Sequence, residues 1–346
     1  MTDFDTASVP RQPWAMVDIN WQSGDSQRNE FAAGGGGQIP ELPGVPAFML
    51  VAPKPSDIPV LIAVPHAGRA YPGSVIEQMR NPGYASLRLE DRYVDVLAKA
   101  VATATGAALL VAQAPRAMID LNRAADDVDW DMFGPGAGSR VRDVPPVIYE
   151  TARRARSGLG LIPRRLPGIG ELWKGRHDEA DLEQRLEHIH QPYHQCLSRT
   201  LQGLRDRWGA ALLIDFHSMP TLSRLGGQLP AEFVLGDRFG AACNGTLTAS
   251  AFAYFSEMRR AAAHNRPYAG GYVLESHARP QEGINALQLE IDRASYLDRR
   301  LSEPGRGMGA IVHLLTGLVR RLAGEVAELG QLSRANAPDG WAEAAE

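Results

Sequence analysis

AALLIDFHSMP, residues 210–220, changes character within one short stretch, from the apolar run Ala210 to Ile214 to Asp215, Phe216, His217 and Ser218. An apolar run of that length reads as a buried strand. The polar residues that close it stand at its C-terminal edge, where open α/β sheets carry their functional groups. VLIAV at 60–64, ended by Pro65 and followed by His66-Ala67-Gly68, repeats the theme. Two strands therefore each deliver a histidine, followed by small residues that let a ligand come close.

Working outward, Leu89 to Thr105 has apolar residues at Val94, Leu97, Ala98 and Val101, a helical spacing, with Glu90 and Asp91 in the first turn. Ala107 to Ala112 reads as a second strand, and Arg116 to Leu121 as a further extended piece leading into Asn122 and Arg123. Residues 180–208 have a helical period through Leu186, Ile189, Tyr193, Leu197, Leu201 and Leu204. Phe233 to Gly236 and Gly271 to Leu274 are short strand candidates, and Gly307 to Leu329 is a long amphipathic helix. Ala286 to Ile291 alternates apolar and polar residues, which puts Glu290 on the face of Gln288. The alternation predicts an α/β fold, a single domain with a mixed, largely parallel central sheet flanked by helices. The Gly- and Pro-rich residues 1–45 read as an extended N-terminal arm, 46–330 as the domain and 331–346 as a tail. Residues 126–178, dense in Gly, Pro, Arg and Asp, read as an excursion over the site.

Composition narrows the function classes. Of 346 residues 44% are hydrophobic and 22% charged, the balance of a globular protein, and the formal net charge of -4 leaves no global positive field for nucleic acid or an anionic membrane. An anionic ligand must then be met by local arginines. Cys196 and Cys243 have no CxxC spacing, which argues against a disulfide framework or a thiolate metal site. The acidic N-terminus lacks signal-peptide character and no eighteen consecutive apolar residues occur, so a cytoplasmic location is expected. Gly34 to Gly37 precedes no strand-to-helix turn and no GK[ST], so it does not read as a phosphate cradle.

The chemistry gathers around His66 and His217. Neutral imidazole is the commonest zinc ligand, and three protein ligands plus an open position define a catalytic zinc site. Asp91 is the chosen third ligand, with Glu90 and Asp95 as alternatives. Glu290, inside an otherwise apolar strand, is the candidate general base, able to take a proton from water and pass it to a leaving amine. Arg116, Asn122 and Arg123 offer guanidinium forks and an amide for a carboxylate or an oxyanion. Bland readings stand beside these: plain loop histidines, a salt bridge of Glu290 with Arg293 or Arg116, a solvated arginine pair, and Asp120 as a structural partner.

The ordered set VPHAGRAYP (64–72), EDRYVDVL (90–97), RAMIDLNR (116–123), GLGLIPRR (158–165), PYH (192–194), IDFHSMP (214–220), NRPYAGGY (265–272) and ALQLEIDRASYLD (286–298) resembles the N-formylglutamate amidohydrolase family. That family resembles, more distantly, the zinc carboxypeptidases and aspartoacylases. The resemblance implies a fold of that kind, one zinc held by His66, Asp91 and His217, Glu290 as base and acid, and Arg116 as a second catalytic group. It further implies substrate contacts from Asn122, Arg123, Tyr268, Gly270 and Gly271, a small-molecule substrate carrying a carboxylate, and a place in histidine degradation. One departure stands out: the His-x-x-Glu metal motif of the distant relatives is absent, because Arg69 lies three residues after His66. The carboxylate ligand must come from elsewhere, and Asp95 is a candidate for orienting a ligand instead. Two other readings remain: hydrolysis of a different N-acyl amino acid or small peptide amide, and a catalytically inactive metal- or ligand-binding relative.

Overall fold

The computed structural model describes residues 30–134, 152–166, 168, 170–223 and 230–335. The chain opens with strands β1 (Glu30–Gly36), β2 (Phe48–Lys54) and β3 (Val60–Val64). Helices α1 (Gly73–Gln78), α2 (Pro82–Leu89) and α3 (Val94–Thr105) lead to β4 (Ala108–Ala112). Helix α4 (Ala152–Arg156) and a small hairpin, β5 (Arg165–Leu166) and β6 (Gly170–Glu171), come next. Then α5 (Glu179–Arg185), a π-helical turn over Leu186–His190 and α6 (Gln191–Trp208) form one continuous helical rod. The remaining elements are β7 (Ala211–Met219), β8 (Phe233–Gly236), α7 (Gly245–Glu257), β9 (Ala262–His264), α8 (Tyr272–His277), β10 (Ile284–Asp292) and α9 (Met308–Ala335).

Eight strands form one sheet in the order β1-β2-β4-β3-β7-β10-β8-β9. The central four, β4-β3-β7-β10, are mutually parallel, while β2 and β8 join them antiparallel. Strands buried on both faces need continuous apolar sequence, and β3, β7, β8 and β10 are buried along their whole lengths. Strand parity divides the core in two. Ala211, Leu213 and Ala286 face the layer that contains Tyr193, Leu197 and Leu201 of α6. Leu212, Ile214, Phe216, Leu287 and Leu289 face Val94, Leu97 and Val101 of α3, Leu247 of α7, and Leu315, Leu318 and Leu322 of α9. Each such side chain, fully buried, contributes roughly 1.5–3 kcal/mol from apolar transfer. The fold is thus the expected mixed, largely parallel sheet with helices on both faces.

Several local expectations differ from the structure. The helix expected from Leu89 begins only at Val94: Glu90 is extended and Tyr93 is left-handed at φ 59°, because the Asp91 N–H is tied to the His66 carbonyl at 2.9 Å. Arg116 to Leu121 is a chain of turns rather than an extended piece, closed by the Met118 N–H to the Pro115 carbonyl. Gly271 to Leu274 is not a strand but the start of α8, since the Asn122 Oδ1 accepts from the Val273 N–H at 2.9 Å and so caps the helix. Residues 30–36 of the expected arm pair with β2 at the sheet edge, and α9 runs to Ala335, past the expected domain end. Within the segment 126–178, Leu161, Ile162, Leu172 and Trp173 join the core rather than only covering the site. Residues 135–151 of that segment lie outside the described residues.

Candidate metal and substrate site

Register alone assembles the site. Glu290 of β10 stands opposite His217 of β7, and Gln288 opposite Asp215; Ala63 of β3 also pairs with Asp215. His66 follows two residues after the end of β3, so three adjacent parallel strands bring His66, His217 and Glu290 to one edge. Gly68 allows the loop after His66 to turn against the chain, because a Cβ there would lie 2.1 Å from the Ala114 carbonyl oxygen. Asp91 reaches the same point from the bend between α2 and α3.

His66, Asp91 and His217 are all buried and offer three ligand atoms to one point. The His66 and His217 Nδ1 atoms are 3.1 Å apart, and Asp91 Oδ2 lies 3.2 Å from His217 Nδ1 and 3.5 Å from His66 Nδ1. A tetrahedral zinc with ligand bonds of about 2.0–2.1 Å requires separations of about 3.3 Å between its ligand atoms. The opposite ring nitrogens are fixed by carboxylates: His66 Nε2 is 2.7 Å from Asp120 Oδ1, and His217 Nε2 is 2.8 Å from Asp215 Oδ2. When both rings are neutral with their Nε2 hydrogens on those carboxylates, the two Nδ1 lone pairs stand beside the Asp91 oxygen, an array of acceptors that a cation reconciles. Carboxylate, imidazole and metal in series is the usual outer support of a zinc histidine. The residues present therefore fit a divalent cation with nitrogen and oxygen ligands.

Each carboxylate has its own set of partners. Asp91 Oδ1 accepts from Ser218 Oγ at 2.9 Å and from Arg293 at 3.2 Å. Burial opposes its charge, but His217 and His66 more than offset this and hold it well below the usual carboxylate range. Asp120 is likewise buried yet held low, by Arg116, His66 and Arg123, and Arg116 donates to its Oδ2 at 2.9 Å. His217 is opposed by burial but raised well above the usual imidazole value by Asp215 and Asp91. Glu290 behaves differently. Burial pushes its carboxyl up to about 7, against the lowering effect of His217, and its hydrogen-bond donor is the Gln288 amide at 2.9 Å. The salt bridge considered for Glu290 is not formed, because Arg116 pairs with Asp120 and Arg293 with Asp91. Nor does Asp95 support a ligand: it pairs with Arg69 at 2.6 Å, while Glu90 accepts from Tyr71 and Arg92.

A cavity of about 310 Å³ opens over these groups, and Arg116, Asn122, Arg123, Tyr268, Gly270 and Gly271 line it with the triad and Glu290. Gly271 is dictated by contact, since a Cβ would fall 2.4 Å from Asn122 Oδ1. Gly270 adopts φ 109°, a value that side-chain-bearing residues rarely take. All ten residues singled out from the sequence line this one cavity. The sequence reading did not find Arg88 and Arg154, which also line it. Among the described residues, Arg88, Arg123 and Arg154 are in no ion pair, whereas Arg116 and Arg293 are compensated. Asp215 was legible from its i, i+2 relation to His217 on one strand face. Asp120, fifty-four residues from His66, gave no such signal.

The family model for N-formylglutamate amidohydrolase matches residues 58–297. The chain is 31% identical over 256 residues to the N-formylglutamate deformylase of Pseudomonas putida, covering 70% of this chain and 82% of that protein. It is 29% identical over 259 residues to the enzyme of that name from Pseudomonas aeruginosa, covering 71% and 85%. In three dimensions it superposes on an N-formylglutamate amidohydrolase from Ralstonia eutropha JMP134 with a TM-score of 0.71 at 30% identity, covering 82% of this chain and 99% of that one. The match spans the three strand ends and every residue of the cavity named above, and the chain belongs to the N-formylglutamate amidohydrolase family.

Proposed function

We propose that the protein is a zinc-dependent amidohydrolase that cleaves N-formyl-L-glutamate, or a closely similar N-acyl acidic amino acid, to the carboxylic acid and the free amino acid. The observation that carries this reading is the buried triad His66, Asp91 and His217 with Glu290 on the neighbouring strand. Those three side chains would hold the metal, which when bound supplies Lewis acidity and lowers the pKa of water. Glu290 takes a proton from the attacking water and returns it to the amide nitrogen as the C–N bond breaks. In the metal-free protein burial raises its carboxyl to about 7, the range of a group that can both accept and release a proton near neutrality. Gln288 orients the Glu290 oxygen, and the Arg116 guanidinium, fixed on Asp120, faces the developing oxyanion.

Substrate charge follows from the arginines. Arg88, Arg123 and Arg154 bring positive charge to the cavity and form no ion pair among the described residues. Recognition of an anionic amino acid answers that charge, with Asn122, Gly270 and Gly271 supplying neutral polar contacts and Tyr268 one wall. The test is formate release from N-formyl-L-glutamate, measured beside N-acetyl-L-glutamate, N-formyl-L-glutamine and N-formyl-L-leucine. The reading expects the formylated dicarboxylate to have the highest kcat/KM by at least about tenfold, the size of one lost charge-assisted hydrogen bond. Equal turnover of N-formyl-L-leucine would contradict it.

A further inference from the structure

The rod made by α5, the π turn and α6 packs its histidines against the back of the site rather than into it. In a regular α-helix, positions five apart lie roughly 140° out of phase. The π turn, in which the Gln191 N–H donates to the Leu186 carbonyl, removes most of that offset between residues 185 and 190. Arg185 and His190 consequently reach one target, with His194 one α-helical turn further on. Arg185 Nη1 donates to the Met118 carbonyl at 2.9 Å, and His190 Nε2 meets the Arg123 carbonyl at 2.9 Å. The His194 ring lies 4.4 Å from His190 between ring centroids, tilted at 51° to it, and its Nε2 has no hydrogen-bond partner among the described residues. The three side chains are buried. The turn that Arg185 and His190 hold is the one that presents Arg116, Asp120, Asn122 and Arg123 to the cavity.

The same rings also grip the opposite substrate loop. Tyr272, next to Gly271, stacks on His190 at 5.8 Å and meets His194 edge-on at 5.1 Å, while His194 Nδ1 pairs with His277 Nε2 at 2.9 Å at the far end of α8. We infer that the π turn is a clamp, with Arg185, His190 and His194 as positioning residues: the Arg185 end fixes Asp120 behind the metal ligand His66, and the His190 end fixes Asn122 and Arg123 for substrate. The inference rests on the metal and substrate reading proposed above and adds residues that touch neither. It divides their effects, because Met118 lies two residues before Asp120 while Arg123 itself lines the cavity.

The test uses the full-length protein in three variants, with zinc affinity from chelator competition and steady-state kinetics on N-formyl-L-glutamate. His190→Phe keeps the stacked ring and loses the donor; KM should rise at least about tenfold, with kcat within about threefold of wild type and zinc affinity unchanged. His190→Gln, which keeps an amide donor, should return KM to within about threefold of wild type. Arg185→Lys, which keeps the charge beside Asp181 and loses the fork, should weaken zinc about tenfold or more. If His190→Phe does not fold, His190→Asn replaces it, its amide being too short to reach. An unchanged KM in the variant lacking the donor, or equal zinc loss at both ends, overturns the clamp. Should wild type release no formate, the substrate reading fails by itself, and the clamp is decided by the zinc affinity of Arg185→Lys.

Discussion

Replacing Glu290 by glutamine separates the chemical role of this carboxyl from its structural cost. The Gln288 amide donates to Glu290 Oε1, and a glutamine carbonyl accepts the same hydrogen bond, so the pocket keeps its shape. In the metal-free protein the carboxyl titrates at about 7 against an ordinary 4.5, because burial penalises its charged form. The folded state then binds more protons than the unfolded state between those values, so stability falls as pH rises through the window. A difference of that size corresponds to on the order of 3 kcal/mol by pH 8. Metal-free Glu290→Gln should therefore be more stable than wild type by roughly that amount at pH 8 and nearly equal to it below pH 4.5, as read from urea unfolding. The same variant should still bind zinc yet lose at least about a hundredfold in kcat, the usual size of a general-base effect. A variant with turnover near wild type would remove Glu290 from the reaction, and one destabilised at pH 8 would show that the carboxylate is structurally required.

Other outcomes follow from named contacts. Asp215→Asn leaves His217 Nε2 without its buried carboxylate and should weaken zinc about 10- to 100-fold in a chelator competition, with secondary structure intact. Gly271→Ala places a methyl 2.4 Å from Asn122 Oδ1 and should raise KM more than it lowers kcat, since the Asn122 side chain must leave its cap on α8. His177 is a buried imidazole with neither ring nitrogen partnered among the described residues, packed 4.5 Å from the Trp173 ring, and burial lowers it to about 4 from 6.5. Its contribution is complete above pH 6.5 and is lost as pH falls toward 4, where the unfolded chain binds the extra proton. His177→Phe should remove up to about 3 kcal/mol of that acid sensitivity in urea unfolding between pH 7 and pH 4.

How much was legible depended on the range of the contact. Apolar runs with polar ends located β3 and β7, and period-two alternation set Gln288 and Glu290 on one face of β10, because a strand's parity is written in its own sequence. The same parity puts Asp215 on the face of His217, a relation that only the structure showed to be a hydrogen bond. Tertiary ties decided what local pattern could not. Asp91 was assigned to a helix opening, but its N–H is held by the His66 carbonyl, and the bend this makes is what turns its carboxylate inward. The strand read at Gly271 became a helix because a side chain 151 residues away capped it. Asp120 and the Arg185-to-His194 face have no local signature, since the first acts across 54 residues and the second depends on a π turn whose phase no heptad-like pattern announces.

The most direct measurement of the central claim is zinc-edge anomalous diffraction from crystals of the zinc-loaded protein. The account predicts one peak about 2.0–2.2 Å from His66 Nδ1, His217 Nδ1 and Asp91 Oδ2 together. A peak bound to other side chains, or none at this triad after loading, would contradict it.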